Sequence, residues 1–203
     1  GNGTVLYLFG PSTVAERCLI LNSHTVPKAG YYIHANAPVA VEDGATLRNT
    51  VIANSTLEGC GGIVAWSGTR VENCTVYMNA STNQPGCAAG IAISNATAKV
   101  VNTIVYGNTT KGAAASEIGG VAGFADCFEN CLIGIDPQLR GKGAKAYRPA
   151  TGSPCIDAGK KLDWMTGAID LYGQPRVQGQ GADKKPDIGA GEYCPSGFRL
   201  LVK

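Results

Sequence analysis

Apolar residues in the first two thirds of the chain fall in short alternating runs, punctuated by Gly and Asn, and the runs recur. Arg17-Cys18-Leu19-Ile20-Leu21-Asn22 aligns with Asn49-Thr50-Val51-Ile52-Ala53-Asn54 and with Asn73-Cys74-Thr75-Val76-Tyr77-Met78-Asn79. Asn102-Thr103-Ile104-Val105-Tyr106-Gly107-Asn108 and Asn130-Cys131-Leu132-Ile133-Gly134 continue the series, with starts separated by 32, 24, 29 and 28 residues. Gly62-Ile63-Val64-Ala65 precedes one copy as Gly90-Ile91-Ala92-Ile93 precedes the next. Short β-rich runs at such a period predict an all-β solenoid of parallel strands. Helical repeats of that length would carry a 3.6-residue period inside each unit, and these do not.

Reading down the aligned copies predicts which side chains share a face. Cys18, Thr50, Cys74, Thr103 and Cys131 form one column, and Ile20, Ile52, Val76, Val105 and Ile133 form another two residues on. With a side-chain period of two, both point inward. The column before them, Arg17, Asn49, Asn73, Asn102 and Asn130, falls at a bend. Asn tolerates a left-handed backbone, and its amide can bond to the next Asn in a stack about 4.8 Å apart. Asn49, Asn73, Asn102 and Asn130 are therefore expected to form a ladder, and Asn102 is expected to matter more to stability than Asn108.

The outward positions between those columns are unexpectedly apolar: Leu19, Val51, Thr75, Ile104 and Leu132, then Leu21, Ala53, Tyr77 and Tyr106. A sheet apolar on both faces is normally covered on both. Residues 1–138 are read as solenoid coils and residues 139–203 as an irregular tail with too few strand-like runs to continue them. Leu139, Tyr147, Ile156, Leu162, Trp164, Ile169 and Leu171 supply the tail with groups to cover the outer stripe.

Composition narrows the classes of function. Charged residues are only 16% of the chain and there are 28 glycines, against the profile of helical or doubly wound folds. A net charge of +2 gives no bulk drive toward nucleic acid or an anionic membrane. Residues 1–135 carry 6 basic and 8 acidic side chains and residues 136–203 carry 11 and 7, which supports a boundary near Asp136-Pro137. No apolar run of about 18 residues offers a membrane span. The opening Gly1-Asn2-Gly3 is not a signal peptide and is read as a trimmed start.

The repeat resembles the right-handed parallel β-helix of secreted bacterial proteins, in the pectate-lyase-like superfold, where an Asn ladder occupies one bend. The tail resembles the end of choice-of-anchor Q type β-helix proteins. The residues that carry this are Asp136-Pro137, Gly152-Ser153-Pro154-Cys155-Ile156-Asp157-Ala158-Gly159, Asp170-Leu171-Tyr172-Gly173-Gln174-Pro175-Arg176 and Asp187-Ile188-Gly189-Ala190-Gly191-Glu192-Tyr193. Cys155 departs from the small residue usual at its place. The resemblance spans most of residues 40–195 and implies an extracellular or bacterial cell-surface location, with no single activity.

Eight cysteines permit disulfides. Cys18, Cys74 and Cys131 lie two rungs apart in one column, beyond disulfide reach, and read as free, buried, small apolar residues. Cys60 and Cys87 fall at nearly equivalent places on adjacent coils and can pair; Cys155 and Cys194 sit in tail motifs that must pack together and offer a second pair. There is no zinc pattern. Asp157, Asp170 and Asp187 each precede a Gly or a turn and read as turn caps, with a Ca2+ ion as the lesser alternative and no other cofactor. Arg176 and Glu192 are expected to pair. The sequons at Asn54, Asn73, Asn79, Asn95 and Asn108 read as turn chemistry, and His24 and His34 as loop residues.

Hydrolase signatures of the fold, paired acids and a Gly-His-Gly among them, are missing, and a calcium-dependent lyase would need clustered aspartates, of which the coils before Asp136-Pro137 hold only Asp43 and Asp126. Arg70 and Lys99 share an outward column, Arg48 lies two positions on, and Trp66 lies shortly before Arg70. Together they could hold an anionic sugar chain. The expectation is a non-catalytic, monomeric portion of a surface protein that contacts a glycan or serves as a scaffold. The alternative is a polysaccharide lyase in which Arg70 and Lys99 act with Tyr77 or Tyr106.

Overall fold

The runs of alternating residues become short parallel strands because each copy of the repeat stacks on the last. A computed structural model describes residues 4–24, 37–82, 88–110, 114–177 and 184–195. His34 and Cys87 lie outside these. The chain is an all-β parallel solenoid. Sheet A stacks Leu6–Phe9, Val39–Glu42, Ile63–Ala65, Ile91–Ile93 and Ile118–Gly120. Sheet B stacks Val14–Glu16, Thr46–Arg48, Arg70–Glu72, Lys99–Val101 and Phe128–Glu129. Sheet C holds the repeat recognised in the sequence: Leu19–Leu21, Val51–Ala53, Thr75–Tyr77, Ile104–Tyr106 and Leu132–Ile133. A fourth sheet of two-residue strands, Thr56–Leu57, Ala80–Ser81 and Thr109–Thr110, ends in Ala114–Ala115, which pairs antiparallel.

Like residues lie directly on like. Leu19 pairs with Val51, Val51 with Thr75, Thr75 with Ile104 and Ile104 with Leu132. Val39, Ile63 and Ile91 from sheet A meet Leu47, Val71 and Val100 from sheet B and Ile52, Val76 and Val105 from sheet C in one continuous core, all fully buried. Coils approach so closely at the start of sheet A that side chains are excluded. A Cβ on Gly62 would stand 2.2 Å from Gly90 O, and one on Gly90 2.1 Å from Glu117 O. The repeated Gly before each Ile run answers that contact.

The αL bend holds along the whole column: Arg17, Asn49, Asn73, Asn102 and Asn130 all have φ between 47° and 57°. The amide ladder links Asn73, Asn102 and Asn130. Asn49, expected as a fourth member, shares the bend but not the ladder, its Oδ1 being buried with no partner among the described residues. Asn130 Nδ2 donates to Asn102 Oδ1 at 2.8 Å and Asn102 Nδ2 to Asn73 Oδ1 at 3.3 Å. All four also donate to tail carbonyls: Asn49 to Ile169 O, Asn73 to Asp187 O, Asn102 to Lys160 O and Asn130 to Ala158 O.

The tail lies along the outer face of sheet C. Cys155 and Ile188 pack on Ile104 and Leu132, and Ala190, Tyr147 and Leu171 pack on Val51 and Ala53. The stripe that is bare in the first coil, where Leu19 is 51% exposed, is fully buried at Val51. Gly189, at φ 101°, brings the tail backbone onto Ile104, where a Cβ would stand 2.5 Å from Cδ1. From there Gly189 N donates to Asn102 O and Ala190 N to Thr75 Oγ1. Among the described residues, helical structure amounts to 3-10 turns at Phe124–Cys127, Gly143–Lys145 and Asp163–Met165. No helix among the described residues is long and apolar enough to cross a membrane.

Candidate functional site

The residues expected to meet an anionic sugar chain are distributed over three faces. Arg70 and Lys99 are register partners on the outer face of sheet B. Their neighbour Glu72 is 1% exposed and holds both guanidinium groups, Arg48 Nε at 2.8 Å and Arg70 Nε at 2.7 Å. Arg48 is further roofed by the Trp164 ring of the tail, 4.7 Å from its centroid. Lys99 Nζ reaches Asp126 O at 3.5 Å. Trp66 lies around the bend on the outer face of sheet A, packed on Cys60, Val64 and Ala92. Tyr77 and Tyr106 end strands of sheet C, with ring centroids 6.0 Å apart. The cations and the tyrosines thus belong to different sheets.

What assembles around Tyr77 is a pocket at the seam of solenoid and tail. It measures about 170 Å³ and is lined by Asn54, Tyr77, Leu139, Gly141, Ala146 and Tyr147. The Tyr147 ring meets Tyr77 edge-on at 6.2 Å and 73°. Asn54, at φ 55°, turns its Nδ2 to Tyr147 OH at 3.1 Å. Burial raises the Tyr77 phenol, with Asp136 and the two neighbouring tyrosines adding to it. Burial raises Tyr147 as well, and the Asn54 bond opposes it. Both hydroxyls therefore remain protonated donors at neutral pH. The pocket offers two ring walls, a hydroxyl and an amide, which suits a sugar ring and not proton abstraction. Asn54 and Tyr147 were not anticipated as partners of Tyr77. Asn22, Asn54, Met78 and Gly107 share an αL bend, and the recurrence of Asn there was the available signal.

Two of the three tail aspartates, Asp170 and Asp187, are engaged by backbone N–H groups, and Asp170 also faces the buried Arg148 at 3.9 Å. Asp170 Oδ1 accepts from Tyr172 N and Gln174 N, and its Oδ2 accepts from Glu192 N. Asp187 accepts from Asp157 N at 2.7 Å and from Tyr193 N. Asp157 is itself exposed, at φ 53°. No three His, Cys, Asp or Glu residues that could hold a metal come together among the described residues. Arg176 does pair with Glu192, at 3.0 Å and fully buried. Burial raises the Glu192 carboxyl against the pull of Arg176.

Cys60 is disulfide-bonded, while its expected partner Cys87 lies outside the described residues. The Cys155–Cys194 pair does not form; both are thiols. Cys155 is instead an apolar plug against Ile104, Leu132 and Ile188, and burial pushes its thiol up to about 11. Cys18, Cys74 and Cys131 are also free, yet they are not merely apolar filler. Cys74 Sγ donates to Glu72 O and Cys131 Sγ to Glu129 O, closing the bend as Thr50 Oγ1 and Thr103 Oγ1 do.

Three sequon asparagines, Asn73, Asn79 and Asn108, are buried. Asn108 departs from its expected minor role. With Asn79 it forms a second, inward ladder: Ser55 N donates to Asn79 Oδ1, Asn79 Nδ2 to Asn108 Oδ1 at 3.0 Å, and Asn108 Nδ2 to Glu117 Oε2 at 2.6 Å. His24 is exposed and bridges to Thr56.

Comparison of the chain with protein-family models, with curated proteins and with solved structures finds no match in any of the three. The class defined by fold and site is a parallel β-solenoid whose outer sheet is sealed by its own tail.

Proposed function

We propose that the chain is a non-catalytic, glycan-contacting portion of a secreted or surface-attached bacterial β-helix protein of the choice-of-anchor Q type. The observation that carries this reading is the tyrosine-walled pocket, with Asn54 and Tyr147 OH at its polar side. The tail motifs support the surface assignment, and the oxidised state of Cys60 fits an oxidising compartment. A lyase is disfavoured because its cations and its base would sit on different sheets, Arg48 and Arg70 are engaged by Glu72, and the Tyr77 phenol is raised.

A glycan array tests the reading. Selective hits that vanish in Tyr77→Ala and weaken in Asn54→Ala support it, and an array with no selective hits leaves a pure scaffold. Ultraviolet absorbance of unsaturated uronates, appearing with any uronic-acid polymer, would replace it with the lyase.

A further inference from the structure

We propose that the cleft between the last bend of the solenoid and the tail binds a polysaccharide bearing sulfate or phosphate esters. The cleft measures about 570 Å³, inside the range of about 300–1,000 Å³ typical of ligand sites. Glu129 and Asn130 line it from the solenoid, and Lys160, Lys161, Lys184 and Lys185 from the tail. It shares no lining residue with the tyrosine pocket and does not depend on the reading given to that pocket.

Backbone bonds fix the walls, leaving the side chains of Lys161, Lys184 and Lys185 available. Lys160 N and O both bond to the Asn102 amide at 2.7 Å. Gly159 N donates to Pro186 O at 2.7 Å, which holds the Lys184–Lys185 segment beside Lys160. Four lysines line one space with a single acidic residue, Glu129, whose carboxylate Lys160 holds at 2.5 Å. Among the described residues no carboxylate pairs with Lys161, Lys184 or Lys185.

The lining selects the ligand. A lysine ammonium is a point charge with rotatable donors, suited to a tetrahedral oxyanion approached from any side. Uronate carboxylates are matched best by the planar fork of Arg, which this lining lacks. Single-stranded nucleic acid is held by aromatic rings on which its bases stack, and none lines the cleft. Ester oxyanions carried on sugar rings fit what remains.

Isothermal titration of the whole chain at about 0.1 M salt against dextran sulfate, dextran phosphate, plain dextran and polygalacturonate tests the assignment. Binding to one or both ester polymers, absent for plain dextran, is expected, and the stronger arm identifies the ester. K184E/K185E should weaken that binding by about tenfold or more, and K184Q/K185Q by less. K142E/K145E makes the same charge change on exposed lysines elsewhere and should have less than about a twofold effect. Melting should be unchanged in all three. Equal losses in the two reversal variants, equal affinity for polygalacturonate, or no binding to either ester polymer overturns the proposal. Tyr77→Ala should leave dextran-sulfate binding intact, which separates this site from the tyrosine pocket.

Discussion

Asn102 binds the backbone of Lys160 as a neighbouring strand would, its Nδ2 donating to Lys160 O and its Oδ1 accepting from Lys160 N, each at 2.7 Å. The same amide also accepts from Asn130 and donates to Asn73. One buried side chain therefore ties three coils and the tail together.

Removing that amide should be costly. Each buried partner left unsatisfied costs about 1–3 kcal/mol. Asn102→Gly, which keeps the left-handed bend accessible, is expected to lose about 3–5 kcal/mol in urea denaturation. Asn102→Leu should lose a further ~1 kcal/mol, because φ 51° disfavours a residue with a Cβ. Loss confined to the Leu variant would mean that the bend matters and the amide does not.

Asn108→Ala should destabilise by about 2–4 kcal/mol, comparable to the Asn102 change, since it removes the acceptor of Asn79 N and Nδ2 and the donor to Val76 O and Glu117 Oε2. Glu117→Gln, which leaves Asn108 and its bonds to Asn79 in place, should lose much less. Thermal melting of the two single variants checks this.

The tail is a cover for sheet C, so its removal should expose Val51, Ala53, Ile104 and Leu132. A chain ending at residue 138 is expected to bind hydrophobic dyes and to elute as aggregates in gel filtration. Gly189→Val, which drives a side chain into Ile104 and Thr75, should produce a milder form of the same behaviour.

Buried thiols make stability fall at alkaline pH. Burial pushes Cys74 up to about 12 and Cys131 and Cys155 up to about 11, against an unfolded value of 9.0. A raised folded pKa contributes stability that is complete below pH 9 and is lost as pH climbs through the folded value. For Cys155 the loss is on the order of 3 kcal/mol between pH 9 and 11. Cys155→Ala should flatten that part of the pH–stability curve even though it lowers stability at neutral pH. Alkylation at pH 8 should reach Cys18 and Cys194 well before Cys74 and Cys155.

Periodicity made the solenoid, the αL Asn column and the covered outer stripe legible, because each recurs at a fixed place in every copy. The second ladder was harder to see for a physical reason. Asn22 and Asn54 end their copies at the αL bend, whereas Asn79 and Asn108 end theirs one residue later, on the inward side. Aligning all four as equivalent conceals two different roles. The cation cluster failed in the opposite way. Column spacing correctly stacked Arg70 on Lys99, but no spacing rule could reveal that Glu72 occupies the guanidinium groups or that Trp164 returns from 116 residues downstream to roof Arg48.

The ladder contacts the tail in an order unrelated to the order of synthesis: Ala158, Lys160, Asp187 and Ile169 dock on successive rungs from the last coil back toward the first. Those bonds span 28, 58, 114 and 120 residues. Asn73 cannot meet Asp187 until 114 further residues have been made. At about 5–20 residues per second, the outer face of sheet C stays uncovered for roughly 3–12 s after its last strand emerges. During that interval a finished stack of coils presents an apolar wall to its surroundings. Exposure to misassembly is therefore set by how fast the covering tail is delivered, more than by how stable the completed fold becomes.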